Sequence, residues 1–206
     1  MNKVELTGNL TKDVDYQKTA SGISVCRFTL AVNRKTKYDL IATEKICSDG
    51  KKILINMDSV APNEAAFEWV TKSGIFSKNA YVKREVFFGE SRFDLYVCDG
   101  KRRAFIEVKG VTLEKDDKAM FPDAPTERGI KHLSSLVKSI SEGYEAYVLF
   151  VIQMKGVSSF SPNDEMHKEF GNALRDAAAA GVKILAMDCI ITANSMIIDK
   201  EIKVEL

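Results

Sequence analysis

The chain has 206 residues, 45% hydrophobic and 29% charged, which is enough to bury a sizeable core in one domain or two. With 30 Lys+Arg against 29 Asp+Glu the net charge is +1, so a global basic field that attracts nucleic acid is excluded and any such site must be local. Cys26, Cys47, Cys98 and Cys189 form no CxxC pair, no apolar run reaches membrane-spanning length, and the N-terminus lacks a signal-peptide pattern; a reduced cytoplasm is expected.

In chain order, "KVELTGNL" (3–10) and "ISVCRFTLAVN" (23–33) are rich in Val, Leu, Ile and Phe around the turn-forming "TASG", and predict opening strands of a small β-barrel or sheet. The basic connector "NRKTK" leads to two more strand candidates, "YDLIATEK" and "KKILINMDS", split by "SDG". Residues 1–59 therefore read as an all-β domain. At "APNEAAFEWVTKSG" the pattern becomes helical, with Pro62 and Asn63 at the start, Gly74 at the stop, and Ala66, Phe67 and Val70 on one stripe. A domain boundary is placed near Ala61, with 60–206 as the second domain.

Three strands, about 81–88, 91–98 and 103–111, follow with "GE" and Asp99-Gly100 as tight turns, predicting an antiparallel meander. "EKDDKAMFPDAP" reads as a loop. Thr126 can cap a helix whose stripe is Ile130, Leu133, Leu136, Val137 and Ile140, closed by Gly143. "AYVLFVIQM" has the unbroken apolar run of a strand buried on both faces. A helix over 163–180 and strands at "VKILAMDCIIT" and "IKVEL" complete an α+β chain with a mixed sheet and helices on its faces.

Alternation along the meander places Asp94, Glu107 and Lys109 on one face, with Glu85 opposite Asp94, and leaves Val82, Val86, Phe93, Leu95, Val97, Ile106 and Val108 as a core on the other. Diagonal neighbours on such a face lie roughly 7 to 8 Å apart, so Asp94 and Glu107 can share a cation. Carboxylates without Cys or His select hard ions, Mg²⁺ or Mn²⁺. Such an ion activates water and polarises a phosphodiester, while Lys109 can orient the water or offset phosphate charge. Charged residues on a sheet commonly mark its solvated face. Here "AFIEVKGV" is hemmed by apolar residues under a predicted helix, where charges are costly unless paired or metal-bound.

The strings "KREVFFGESRFDLYV", "FIEVKGVTL", "MFPDAPTERGIKHL" and "FVIQMKGVSSFSPN" closely resemble the sugar fermentation stimulation protein A family from about Asn33 to Leu206. The resemblance implies DNA binding, an OB-like barrel in front, and a C-terminal αβββαβ domain similar to PD-(D/E)XK nucleases. It assigns the motif's Asp to Asp94 and its E-x-K to Glu107 and Lys109, with Glu85, in the "REV" segment, as a further candidate ligand. Mg²⁺ or Mn²⁺ is the implied cofactor and DNA the implied partner.

Arg128, Lys131 and His132, in the first turns of the helix after "FPDAP", are candidate phosphate contacts, against the alternative of a capped helix with a solvated cationic face. His167 reads as a surface residue and Trp69 as core, while Gln153, at the end of the buried strand, either reaches the site, as the analogy with related nucleases implies, or caps the strand. The first 35 residues, "MNKVELTGNLTKDVDY" and "SGISVCRFTLAVNRK", instead resemble the opening of bacterial single-stranded DNA-binding proteins, which are OB-folds. There, Arg34, Lys35 and Lys37 are candidate backbone contacts, with scattered solvated cations as the alternative. Two functions stay open: a metal-dependent DNA nuclease, and a non-catalytic DNA-binding regulator, by resemblance of sugar fermentation genes. No membrane partner is expected, and the oligomeric state is left open, a homodimer included.

Overall fold

Among the described residues, the chain as far as residue 56 forms short β-strands. In the computed structural model, which describes residues 9–10, 15–18, 24–27, 30–31, 42–46, 50–193 and 195–206, they are β1 (Asn9–Leu10), β2 (Asp15–Lys18), β3 (Ser24–Arg27), β4 (Leu30–Ala31), β5 (Ala42–Ile46) and β6 (Lys52–Asn56). They pair antiparallel and two by two, β1 with β4, β2 with β3, β5 with β6. No strand is shared between pairs, so among the described residues they close no barrel, and the expected barrel is reduced to β-structure. Arg34, Lys35 and Lys37 lie outside the described residues. The β5–β6 hairpin contributes to the rest of the molecule: Ile55 is buried in its core, Ile53 packs beside it, and the Asn56 N–H donates to the Gln153 carbonyl at 3.1 Å.

Helix α1 (Ala61–Lys72) starts with Pro62 in its first turn, where a missing N–H costs nothing, and buries Ala65, Ala66 and Val70. Next come β7 (Tyr81–Phe88), β8 (Ser91–Asp99) and β9 (Arg102–Val111), an antiparallel meander. Gly89-Glu90 turns the first hairpin as expected. The second turn is Gly100-Lys101, since Asp99 pairs with Arg102. With φ +62, Gly100 suits the first central position of a type II′ turn, and Asp99 stays in the ladder, its carboxylate accepting the Ser77 N–H at 2.8 Å. The register thus moves by two residues from the expected one, a shift that by itself leaves each side chain on its face.

The expected loop after β9 is instead a hairpin, β10 (Leu113–Lys115) and β11 (Lys118–Phe121), joined by Asp116 and Asp117 at φ +54 and +61. Two consecutive left-handed residues make a type I′ turn, and Asp is among the residues that tolerate them. Then follow α2 (Glu127–Ser141), β12 (Glu145–Ile152), β13 (Ser159–Pro162), α3 (Asp164–Ala179), β14 (Lys183–Ile191), β15 (Met196–Glu201) and β16 (Lys203–Val204).

One mixed six-stranded sheet runs β15-β14-β12-β9-β8-β7, and a four-stranded one runs β10-β11-β13-β16. Strand β12 lies between β9 and β14, parallel to both, which explains its unbroken apolar run. Its alternate residues feed two cores. Val148, Phe150 and Ile152 pack with Leu133 and Leu136 of α2 and with Phe170 and Leu174 of α3; Tyr147, Leu149 and Val151 pack with Ala66 and Val70 of α1. Each such buried side chain contributes about 1.5–3 kcal/mol. The result is α+β with three helices and mixed sheets. No helix among the described residues is long and apolar enough to cross a membrane.

One departure from strict alternation positions the site. Phe93 belongs to the α2-side core, whereas Leu95 and Val97 belong to the α1-side core; on β7, Val82 lies on the α1 side and Val86 and Phe88 on the α2 side. Both strands change face between these residues. On β7 the change falls at Glu85, whose φ is +53. On β8 it falls at Asp94, where the ladder to β9 ends after Leu95↔Ile106. The single core face expected from period-2 alternation is therefore split between two cores.

Candidate metal centre

Asp94 is the first β8 residue beyond the β8–β9 ladder, so the Val108 N–H that a longer ladder would engage is left to a side chain. Asp94 Oδ2 accepts it at 2.8 Å, and Oδ1 accepts from Asn63 Nδ2 of α1 at 2.9 Å. Glu107 is the next β9 residue in register and is only 3% exposed. Its Oε1 takes the Lys109 ammonium at 2.6 Å and also the His132 Nδ1 of α2, whose Nε2 accepts from Arg128 Nε at 3.4 Å. Its Oε2 is buried and has no hydrogen-bond partner.

The two carboxyls are driven apart in acidity. Burial raises the Asp94 pKa, the neighbouring Glu107 charge raises it further, and the Val108 N–H, Lys109 and Asn63 only partly oppose this. Burial also pushes Glu107 upward, but hydrogen bonds from His132 and Lys109, with the Lys109 charge, outweigh it and leave the carboxyl below its ordinary value. Such splitting is typical of functional carboxylates, although structural ion pairs produce it too.

Glu107 and Lys109 are in direct contact, and Asp94 lies near enough to feel both charges, but it is held by Asn63 of α1 whereas Glu107 is held by His132 of α2, and Glu85 is not part of the group. Its left-handed backbone puts the carboxylate at the surface, 62% exposed and 3.6 Å from Arg92 Nη2. Among the described residues no group of three or more His, Cys, Asp or Glu is arranged to hold a metal ion. Among the described residues, Asp94 and Glu107 form the acidic part of the site.

The helix residues divide. Thr126 caps α2, its hydroxyl accepting the Gly129 N–H at 3.0 Å. Lys131 is exposed and pairs with Glu90 at 3.0 Å, and Arg128 is exposed but tethered to His132. His132 itself is buried against Glu107 and the edge of Phe93, which corrects the expectation of a DNA-facing residue. It lies four residues before Leu136, on the helix's apolar stripe, so its burial was legible. His167 is also buried, at the kink in α3, and its Nδ1 accepts the Thr126 N–H at 3.2 Å. Gln153 accepts from Asn56 Nδ2 at 2.6 Å and packs over Gly110, one residue past Lys109. Trp69 is partly buried against the α1-side core. Sequence reasoning missed Asn63, since a helix-start Asn gives no hint of its partner on another strand.

Residues 60–195 match the sugar fermentation stimulation protein RE domain. The chain belongs to the sugar fermentation stimulation protein family. Relatives in that family include the sugar fermentation stimulation protein homolog of Desulfitobacterium hafniense, 52% identical over 164 residues, covering 80% of this chain and 69% of that one. The homolog of Ruminiclostridium cellulolyticum is 49% identical over 173 residues, covering 84% and 74%. A structure of Pyrococcus furiosus SfsA in complex with Ca²⁺ superposes with a TM-score of 0.68 at 22% identity, covering 94% of this chain and 95% of that one, which shows a shared fold. Residues 1–51 match the single-strand binding protein family, a separate local similarity at the start of this family member.

Proposed function

We propose that this protein is a divalent-cation-dependent nuclease of the PD-(D/E)XK type that hydrolyses DNA phosphodiesters. The observation that carries the reading is Glu107 Oε2, a buried carboxylate oxygen without a donor beside a second carboxylate. A buried acceptor normally finds a partner, and a bare one here fits a cation-binding oxygen. Asp94 and Glu107 hold Mg²⁺ or Mn²⁺ in this reading, and the Ca²⁺ in the Pyrococcus furiosus relative supports a divalent ion on this fold. The bound cation supplies a Lewis acid for the phosphodiester and for water.

This chain's own groups do the rest. The Lys109 ammonium, 2.6 Å from Glu107, sits where it can orient the attacking water or offset charge developing on phosphate. Asn63 and the Val108 N–H fix the Asp94 carboxylate. Arg128 and Lys131 at the start of α2, and Arg34, Lys35 and Lys37 in the connector, are assigned to the phosphate backbone.

Incubation with single-stranded, duplex and branched DNA, with Mg²⁺ or Mn²⁺ and with EDTA, tests the reading. Wild type should cut at least one form only when metal is present, and Asp94→Asn should lose cleavage by orders of magnitude while remaining folded. Absence of metal-dependent cleavage of every form, together with equal Mn²⁺ affinity in wild type and Asp94→Asn, would refute it. The match of residues 1–51 to single-strand binding proteins favours a second reading, a non-catalytic DNA-binding regulator of sugar fermentation genes. In that case DNA binding persists without cleavage and is unaffected by Asp94→Asn.

A further inference from the structure

Glu107 carries an asymmetry that burial alone does not explain. Both of its donors, Lys109 Nζ and His132 Nδ1, converge on Oε1, and Oε2 is left bare in a residue 3% exposed. A carboxylate paired for stability alone gains by sharing donors over both oxygens. Donors gathered on one oxygen instead fix the carboxylate rotation and aim the other.

The His132 ring is oriented from its far side. Arg128 Nε can only donate, and it points at His132 Nε2, so Nε2 is the acceptor and Nδ1 carries the hydrogen that Glu107 Oε1 receives. Phe93, edge-on at 6.2 Å between ring centroids, limits the ring's freedom to turn. We infer that His132 is a positioning residue for the candidate metal centre, donating through Nδ1 to Glu107 Oε1 so that Oε2 is presented to the divalent cation. Arg128 sets the ring's tautomer. This inference rests on the proposed metal-dependent reading and assigns His132 a role away from DNA contact. Outer-shell partners of this kind typically account for 10–100-fold in metal affinity.

The test is Mn²⁺ titration, followed by the loss of free-ion electron paramagnetic resonance signal, on the full chain and its variants. Asn places its amide nitrogen near the position of His Nδ1, whereas Gln reaches the position of Nε2. His132→Asn should keep Mn²⁺ affinity within about threefold of wild type, while His132→Gln and His132→Phe should weaken it by about 10–100-fold. Equal affinity in wild type, His132→Gln and His132→Phe overturns the inference. Asp94→Asn separates the two levels: if it abolishes Mn²⁺ binding while the His132 variants bind normally, the metal centre stands and the His132 role fails. If wild type binds no Mn²⁺, both fail. Should the His132 variants not fold, Arg128→Ala is read instead, since Arg128 is exposed; a severalfold loss of Mn²⁺ affinity is expected, and unchanged affinity overturns the inference.

Discussion

Arg128, Lys131 and His132 stand within five residues of one helix, yet burial gives them different duties. Lys131 projects into solvent and pairs with Glu90, an exposed ion pair that costs little to exchange for a phosphate. Charge reversal at Lys131 should therefore weaken DNA affinity about equally for all sequences and reduce the salt-dependence slope by about one unit. Measuring binding at several salt concentrations checks this, and an unchanged slope would move the DNA surface away from α2. His132→Asn should leave that slope alone, because a residue 6% exposed cannot reach a phosphate.

At the scale of elements, the close approach of β9, β12 and α1 depends on Gly110. A Cβ there would lie 2.9 Å from Gln153 Nε2 and 2.9 Å from Pro62 Cγ. Gln153 is held by Asn56, and Pro62 is locked in the first turn of α1, so neither can yield freely. Gly110→Ala should destabilise the fold by about 1–3 kcal/mol, as overpacked cores do. Because Gly110 follows Lys109, the same change should also weaken Mn²⁺ binding. Thermal denaturation and metal titration check the two effects, and a neutral variant would mean that α1 is free to slide over the sheet.

For the whole molecule, three neighbouring strands of the large sheet are tied at one edge by a single carboxylate. Glu145 at the start of β12 accepts from Arg102 of β9 at 2.7 and 3.1 Å, from Lys183 of β14 at 2.9 Å and from the Tyr147 hydroxyl at 2.7 Å. The Arg102 hydrogen bonds chiefly, then those of Lys183 and Tyr147, prevail over burial and hold its pKa down to about 2. A carboxyl depressed in the folded state adds stability above its ordinary value of 4.5, and that stability is lost as pH falls towards 2. The site is partly solvated, so the contribution is on the order of 1 kcal/mol. Glu145→Gln should be less stable than wild type at pH 7, with the two denaturation curves converging between pH 4.5 and about 2. Parallel curves across that range would show that the cluster is not coupled to folding.

The sequence by itself determined what depends on neighbours along the chain. Period-2 alternation in β9 put Glu107 and Lys109 on one face, where they bond, Thr126 and its apolar stripe defined α2, and the unbroken run in β12 announced a strand covered on both faces. An error of one residue in the Gly100 turn did no harm, since a two-residue register shift keeps each side chain on its face. Only the tertiary structure decided what depends on departures from the repeat or on contacts between distant segments. The left-handed backbone at Glu85 turned that carboxylate out to Arg92, the end of the β8–β9 ladder freed Asp94 for Asn63 and Val108, and the packing of α2 on the sheet turned His132 towards Glu107. The physical reason is that local pattern reports which side of an element is apolar, whereas the partner of a buried polar group is chosen by whichever other element brings a donor within hydrogen-bonding distance.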